Sequence, residues 1–150
     1  MSKAQKLYEE VAERHYREDP VRILFSLLLY SIKGNKLDDY HYFLFLRIRK
    51  LITLDVLQTK EARRIIMSAF KSEYAYNFVM LLNEVELLEM VFPSVYALIK
   101  IDGGHYHNET VFTHVMGALR AVGKLKIPWF VKLAALYHDV GKQKFEDFGL

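Results

Sequence analysis

The stretch Val21–Ile32 is apolar at almost every position and is bracketed by residues that start and stop helices. Asp19-Pro20 stands before it. Asp can cap a helix, and proline suits the first helical position, where a missing N–H costs no intrahelical bond. Gly34-Asn35 stands after it, a pair that accepts the left-handed backbone with which many helices end. Apolar side chains cover every side of this segment, which predicts a helix that is buried or sandwiched between others. The rest of the chain supplies candidates with the same punctuation. Residues 3–17 read as a short polar helix. Asp38-Asp39 suits the start of a helix to about Ile52, and Thr59 precedes one to about Phe70. Ser72 suits the cap of another, in which Phe78, Leu81, Leu82 and Val85 recur at helical spacing. Phe92-Pro93 marks a break with a short helix after it. Asp102-Gly103-Gly104 reads as a loop, Asn108 as the cap of a helix to about Val122, and Pro128 as the opening of one that ends near Gly141. The expectation is an all-α fold.

One segment has a competing reading. Tyr40–Ile52 is rich in aromatic and β-branched residues and Phe43–Arg49 partly alternates, as a strand would. Helical neighbours and the lack of an evident partner strand favour helix. The 150 residues fit one domain with a real core, and no repeat or clean boundary divides them. A hydrophobic fraction of 52% beside 26% charged residues excludes a disordered chain. The absence of cysteine excludes disulfides and thiolate metal sites, so any metal must be held by imidazole and carboxylate. The longest strongly apolar stretch, Ile23–Ile32, is about half of what a membrane span needs. MSKAQKLYEE lacks the apolar run of a signal peptide. The expectation is therefore a cytoplasmic protein with no membrane partner. Charge is uneven: residues 1–72 carry a balance of +5 and residues 73–150 one of −2, for a net +3. A basic amino-terminal half suits phosphate contacts, and equally an ordinary solvated helical surface.

Histidine is uneven too. Four of six fall between residues 105 and 138, namely His105, His107, His114 and His138, and Asp139 directly follows His138. The segment Leu133–Lys142 is apolar until it turns abruptly polar at His138-Asp139. A helix there, with small Ala134 and Ala135 for close approach, delivers imidazole and carboxylate together at its carboxy-terminal end. Such donors suit Mn, Fe, Ni, Co or Zn, with Mg also open to the carboxylates. A divalent metal so placed polarises a phosphoryl oxygen and lowers the pKa of bound water. His114 falls about two turns into the preceding helix, and an antiparallel pair would bring it to His138-Asp139. A lone histidine is more often a hydrogen-bonded core or surface residue, and His15, His41 and His105 are read that way.

His107–His114 followed by Leu133–Lys142 resembles the opening of the HD superfamily of metal-dependent phosphohydrolases. The resemblance implies His114, His138 and Asp139 as three of the family's four metal ligands. It implies His107 as a further upstream histidine of the metal site, and Lys142 as the lysine near substrate phosphate. His138, Asp139 and Lys142 would then be the catalytic set. The family's last aspartate comes on a later helix, so the resemblance covers only the first part of an HD domain.

A second resemblance lies upstream. Glu18-Asp19-Pro20-Val21-Arg22 is similar to the E-D-x-x-R stretch of bacterial tRNA nucleotidyltransferases and poly(A) polymerases, the class II CCA-adding group. There the Asp and Arg pair with the incoming base of CTP or ATP, which implies a nucleotide-binding role for Asp19 and Arg22. Arg donates and Asp accepts along a base edge. Glu61–Ile66 resembles the basic start of that family's neck helix, which implies RNA contacts by Arg63 and Arg64. Leu87–Pro93 is similar to its L-L-x-x-x-F-P segment, and the HD opening follows in the same order, so the match runs from about residue 16 to 144. Phe25 and Leu28 stand where the family's helix usually carries further arginines. The sequence has no Gly-Gly-x-x-R-D loop and no Asp-x-Asp pair to hold the two metals of nucleotidyl transfer.

Together the resemblances imply a helical neck and body over residues 1–100, followed by a partial HD-type helical domain over 101–150. They imply a role in binding or processing tRNA or other RNA, without nucleotide transfer by this chain alone, and a separate nucleotidyltransferase head chain as a possible partner. A metal-dependent phosphohydrolase acting on nucleotides or phosphate esters is the alternative. A degenerate structural module that forms a homodimer is the third reading.

Overall fold

The computed structural model describes residues 1–34, 36–101 and 110–138. Ten helices follow one another in these segments: α1 Lys3–Glu18, α2 Val21–Lys33, α3 Asp39–Ile48, α4 Leu54–Leu57, α5 Lys60–Lys71, α6 Ala75–Glu84, α7 Leu88–Val91, α8 Pro93–Tyr96, α9 Val111–Gly123 and α10 Trp129–Tyr137. Short 3-10 turns extend α3 over Arg49–Leu51 and α8 over Ala97–Lys100. No β-strand occurs among the described residues, so the fold is all-α and Tyr40–Ile52 is helical.

Side-chain caps explain most of the helix starts. Asp38 accepts from the His41 N–H at 2.8 Å, Thr59 from Ala62 at 3.2 Å and Thr110 from Thr113 at 3.2 Å. Each satisfies a donor that the first helical turn leaves without a partner. Gly34, at φ +66°, ends α2 in the left-handed conformation. Four expectations need correction. Asp19 does not cap α2; Pro20 takes the cap position, and the Asp19 carboxylate turns instead toward Arg22. Ser72 closes α5 rather than opening α6, its hydroxyl donating to the Ala69 carbonyl at 2.7 Å, and α6 begins after Tyr74. Thr110 caps α9, while Asn108 lies outside the described residues, as do Asn35, Asp102-Gly103-Gly104 and Gly141. Finally, α2 is not covered on every side. Ile23, Leu24, Leu27 and Leu28 are buried, but Phe25, Leu29 and Ile32 are 49%, 40% and 43% exposed. These three form an outward stripe at helical spacing, because α5 and α6 pack against the opposite face.

The core gathers α2, α3, α5, α6 and α9, with Leu24, Leu27, Phe45, Phe70, Phe78 and Leu119 fully or almost fully excluded from water. Each such side chain contributes about 1.5–3 kcal/mol on burial. By contrast, α1 buries no residue fully and is held by the edge-on packing of Tyr16 against Phe45 at 5.2 Å and by polar contacts. The Tyr16 and Ser26 hydroxyls lie 2.7 Å apart, the Tyr40 hydroxyl donates to the Glu9 carbonyl at 2.9 Å, and Glu13 accepts from Arg17 and Arg47. Burial alone would raise the Glu13 pKa, but the two guanidinium groups outweigh it and hold the carboxyl below its ordinary value. The turn between α2 and α3 is fastened by Asp38, which accepts from Tyr30 at 2.9 Å and lies 2.8 Å from His41 Nδ1. His41 thus has the structural role expected of it.

Lys132 makes the contact that places α10. Its side chain sits on an apolar helix and is 2% exposed, and Nζ donates to the carbonyls of Ser72 at 2.8 Å and Gly123 at 2.7 Å. These carbonyls stand at the carboxy-terminal ends of α5 and α9, where backbone oxygens lack helical partners and the helix dipole is negative. Lys132→Met keeps the stem but leaves both carbonyls without the ammonium. It is expected to lower unfolding free energy by about 1–3 kcal/mol in urea titrations, whereas exposed Lys126→Met should stay within about 0.5 kcal/mol of the parent.

Candidate functional site

Two places gather the side chains that the sequence singles out. The first lies where α9 and α10 run antiparallel. Gly123, at the end of α9, meets Lys132 early in α10, and His114, in the first turn of α9, meets His138 just past the end of α10. The two imidazole rings have centroids 5.6 Å apart with planes inclined at 60°. His114 is one turn into its helix rather than two, because Thr110 sets the start. His138 Nδ1 lies 2.5 Å from the Ala135 carbonyl. A carbonyl oxygen only accepts, so Nδ1 carries the proton in that bond and the lone pair of the neutral ring is on Nε2. Aromatic packing braces this end of α10: Tyr137 meets Phe92 edge-on at 6.3 Å, and Phe92 meets Phe70 at 6.0 Å. Burial pushes the Tyr137 phenol above its ordinary pKa.

The two imidazoles are the described side chains at this end of the helix pair that could hold a metal. Among the described residues no cluster of three or more metal-ligating side chains is present. Asp139, His107 and Lys142 lie outside the described residues, as does His105.

The second place is a groove of about 510 Å³ between α2 and α5. Arg22 and Arg64 both line it, with Glu61 and Ser68, and its floor is apolar, including Val21, Phe25, Leu28 and Ile65. Arg22 Nε lies 3.5 Å from the Asp19 carboxylate, and both side chains are more than half exposed. Such a pair contributes at most about 1 kcal/mol, so solvent or a ligand competes readily for either partner. A smaller pocket of about 290 Å³ adjoins through Arg22 and Phe25 and adds Tyr8, His15 and Tyr16 from α1. The structure therefore brings Asp19, Arg22 and Arg64 to one region. Arg63 is exposed on α5 but does not line the groove. Phe25 was singled out in the sequence as standing where the resembled family carries an arginine, and Glu61 as the start of the neck-like helix, but neither as a member of a groove.

No protein-family model and no solved structure matches the chain. A curated relative does. The chain is 27% identical over 148 residues to the Multifunctional CCA protein of Legionella pneumophila (strain Paris), a match that covers 92% of this chain and 36% of that protein. The chain thus spans about a third of the length of this relative. The likeness is distant and runs along nearly the whole chain, in keeping with the tRNA nucleotidyltransferase relation that the motifs imply.

Proposed function

We propose that this chain is a tRNA nucleotidyltransferase-related module that binds tRNA or another RNA. On this reading residues 1–100 form its neck and body, and 101–150 the first part of an HD-type domain. The supporting observation is that Arg22 and Arg64 line one partly apolar groove, with Asp19 beside Arg22. Arg22 donates to a base edge and Asp19 accepts from it, Phe25 offers a ring face, and Arg64 meets phosphate. A base stacked on an aromatic ring gains about 1–3 kcal/mol, which suits a single-stranded RNA end. Nucleotidyl transfer would come from a catalytic head outside these 150 residues, because no Asp-x-Asp pair stands in them. Arg22→Ala and Arg64→Ala are each expected to weaken binding of a tRNA transcript about three- to tenfold in fluorescence anisotropy, with the thermal melt unchanged. Binding unaffected by both substitutions would remove the groove from the proposal.

One observation favours a second reading, a metal-dependent phosphohydrolase: the juxtaposed rings of His114 and His138. With Asp139 they would hold a divalent ion such as Mn, Fe, Co, Ni, Zn or Mg. That ion, when bound, supplies Lewis-acid polarisation of a phosphoryl oxygen and a bound water of lowered pKa. His138 contributes Nε2, its ring set by the Ala135 carbonyl. Lys142 would offset phosphate charge. The purified chain is expected to carry near-stoichiometric transition metal by elemental mass spectrometry, lost in His138→Ala. Metal-free protein that takes up no added Mn, Ni or Zn would eliminate this reading.

A further inference from the structure

A third cavity lies away from both sites, at the junction between the start of α6 and the end of α9. It has a volume of about 310 Å³ and is lined by Glu73, Tyr74, Tyr76, Asn77, Arg120 and Lys124. The Arg120 guanidinium stands 5.3 Å from the centre of the Tyr76 ring, a cation–π arrangement that orients both groups. The single carboxylate, Glu73, is the group that raises the pKa of the neighbouring Tyr74 phenol. The remaining charge is the two cations. The walls are also fixed from behind. Lys132 grips the Ser72 and Gly123 carbonyls, the residues immediately before Glu73 and Lys124.

Two cations beside two phenol rings and a carboxamide match the parts of a nucleotide. Arg and Lys meet phosphate, an aromatic face meets a base, and the Asn77 side-chain oxygen accepts from a base edge while its Nδ2 donates to the Ser31 carbonyl at 3.4 Å. The cavity does not end as a closed cup. Asn77 also lines an adjoining pocket of about 170 Å³, which continues to Lys36 and Tyr30 at the end of α2. Glu84 stands on its far wall.

We infer that this cavity is a second RNA contact, which seats one nucleotide of a single strand with its phosphate on Arg120 and Lys124 and its base against Tyr74, the Tyr76 face being taken by Arg120. The choice of an RNA strand over other anions rests on the RNA-binding function proposed above. The residues are separate from those of the Asp19–Arg22 groove, so each site is tested by its own substitutions.

The test is amide chemical-shift mapping on the full chain with three probes: a single-stranded RNA hexanucleotide, 5′-AMP, and an acidic hexapeptide. The hexanucleotide is expected to shift Tyr74, Tyr76 and Asn77. Arg120→Glu and Lys124→Glu should each weaken it about tenfold, and Lys124→Ala less. Arg22→Ala should leave those three shifts in place. AMP filling the cavity while the hexanucleotide does not would overturn the strand and identify a free nucleotide. Preference for the peptide, or no shift at these residues with any probe, would overturn the site. RNA shifts confined to the Asp19–Arg22 region would sink this inference and leave the groove standing. Shifts at Tyr74–Asn77 with none near Arg22 would do the reverse.

Discussion

One buried ammonium organises the carboxy-terminal half of the molecule. An unpaired charge in the interior is costly, and Lys132 is tolerated there because two backbone carbonyls at helix ends accept from it. Those oxygens carry the negative end of the α5 and α9 dipoles, so the charge also finds a favourable field. The geometric consequence matters more than the energy. With Nζ fixed to Gly123, α10 must run back along α9, and about two turns later its end arrives beside His114. Fixed to Ser72, the same helix is also tied to α5, whose outer side forms one wall of the Arg22 groove.

The basic character of the amino-terminal half is partly internal. Arg17 and Arg47 share Glu13, and Arg49 reaches Glu86 at 3.5 Å. These exposed pairs hold α1 and the α3 end in register more than they stabilise the fold. Arg63 and Arg64 have no ion pair among the described residues, and Arg22 has only its loose contact with Asp19. Arg22, Arg63 and Arg64 thus remain accessible at the surface, as do Lys3, Lys6, Arg14, Lys33, Lys36, Lys50, Lys60 and Lys71. Phe25 and Leu28 change what the groove can do. In place of further guanidinium groups they supply an apolar floor, which favours a base face over additional base-edge hydrogen bonds.

Helix type and most boundaries were legible because polar caps and breakers carry local information. Asp38, Thr59 and Gly34 act through bonds to residues two to four positions away, and each does what its type predicts. Ser72 misled because the same hydroxyl serves either end of a helix, and the choice depends on α6 beginning after Tyr74. The four-residue α4 escaped notice, since so short an element has no periodicity to read. The exposed stripe of α2 was hidden for a different reason. Composition reports that a helix is apolar all round, but not which neighbours arrive to cover it. The meeting of His114 and His138 was anticipated from the antiparallel pairing of their helices. The Lys132 clamp was not, although a lone charge inside Trp129–Leu136 is the signal that marks it. Of the residues assigned to the site from sequence, Asp139, Lys142 and His107 lie outside the described residues.

The central claim is that the chain binds RNA through phosphate contacts, and its most direct test is the salt dependence of tRNA binding by the full chain. The logarithm of the binding constant is expected to fall linearly with the logarithm of salt concentration, with a slope of about −2 to −4, the signature of several neutralised phosphates. A slope near zero, or no binding at low salt, would contradict the account.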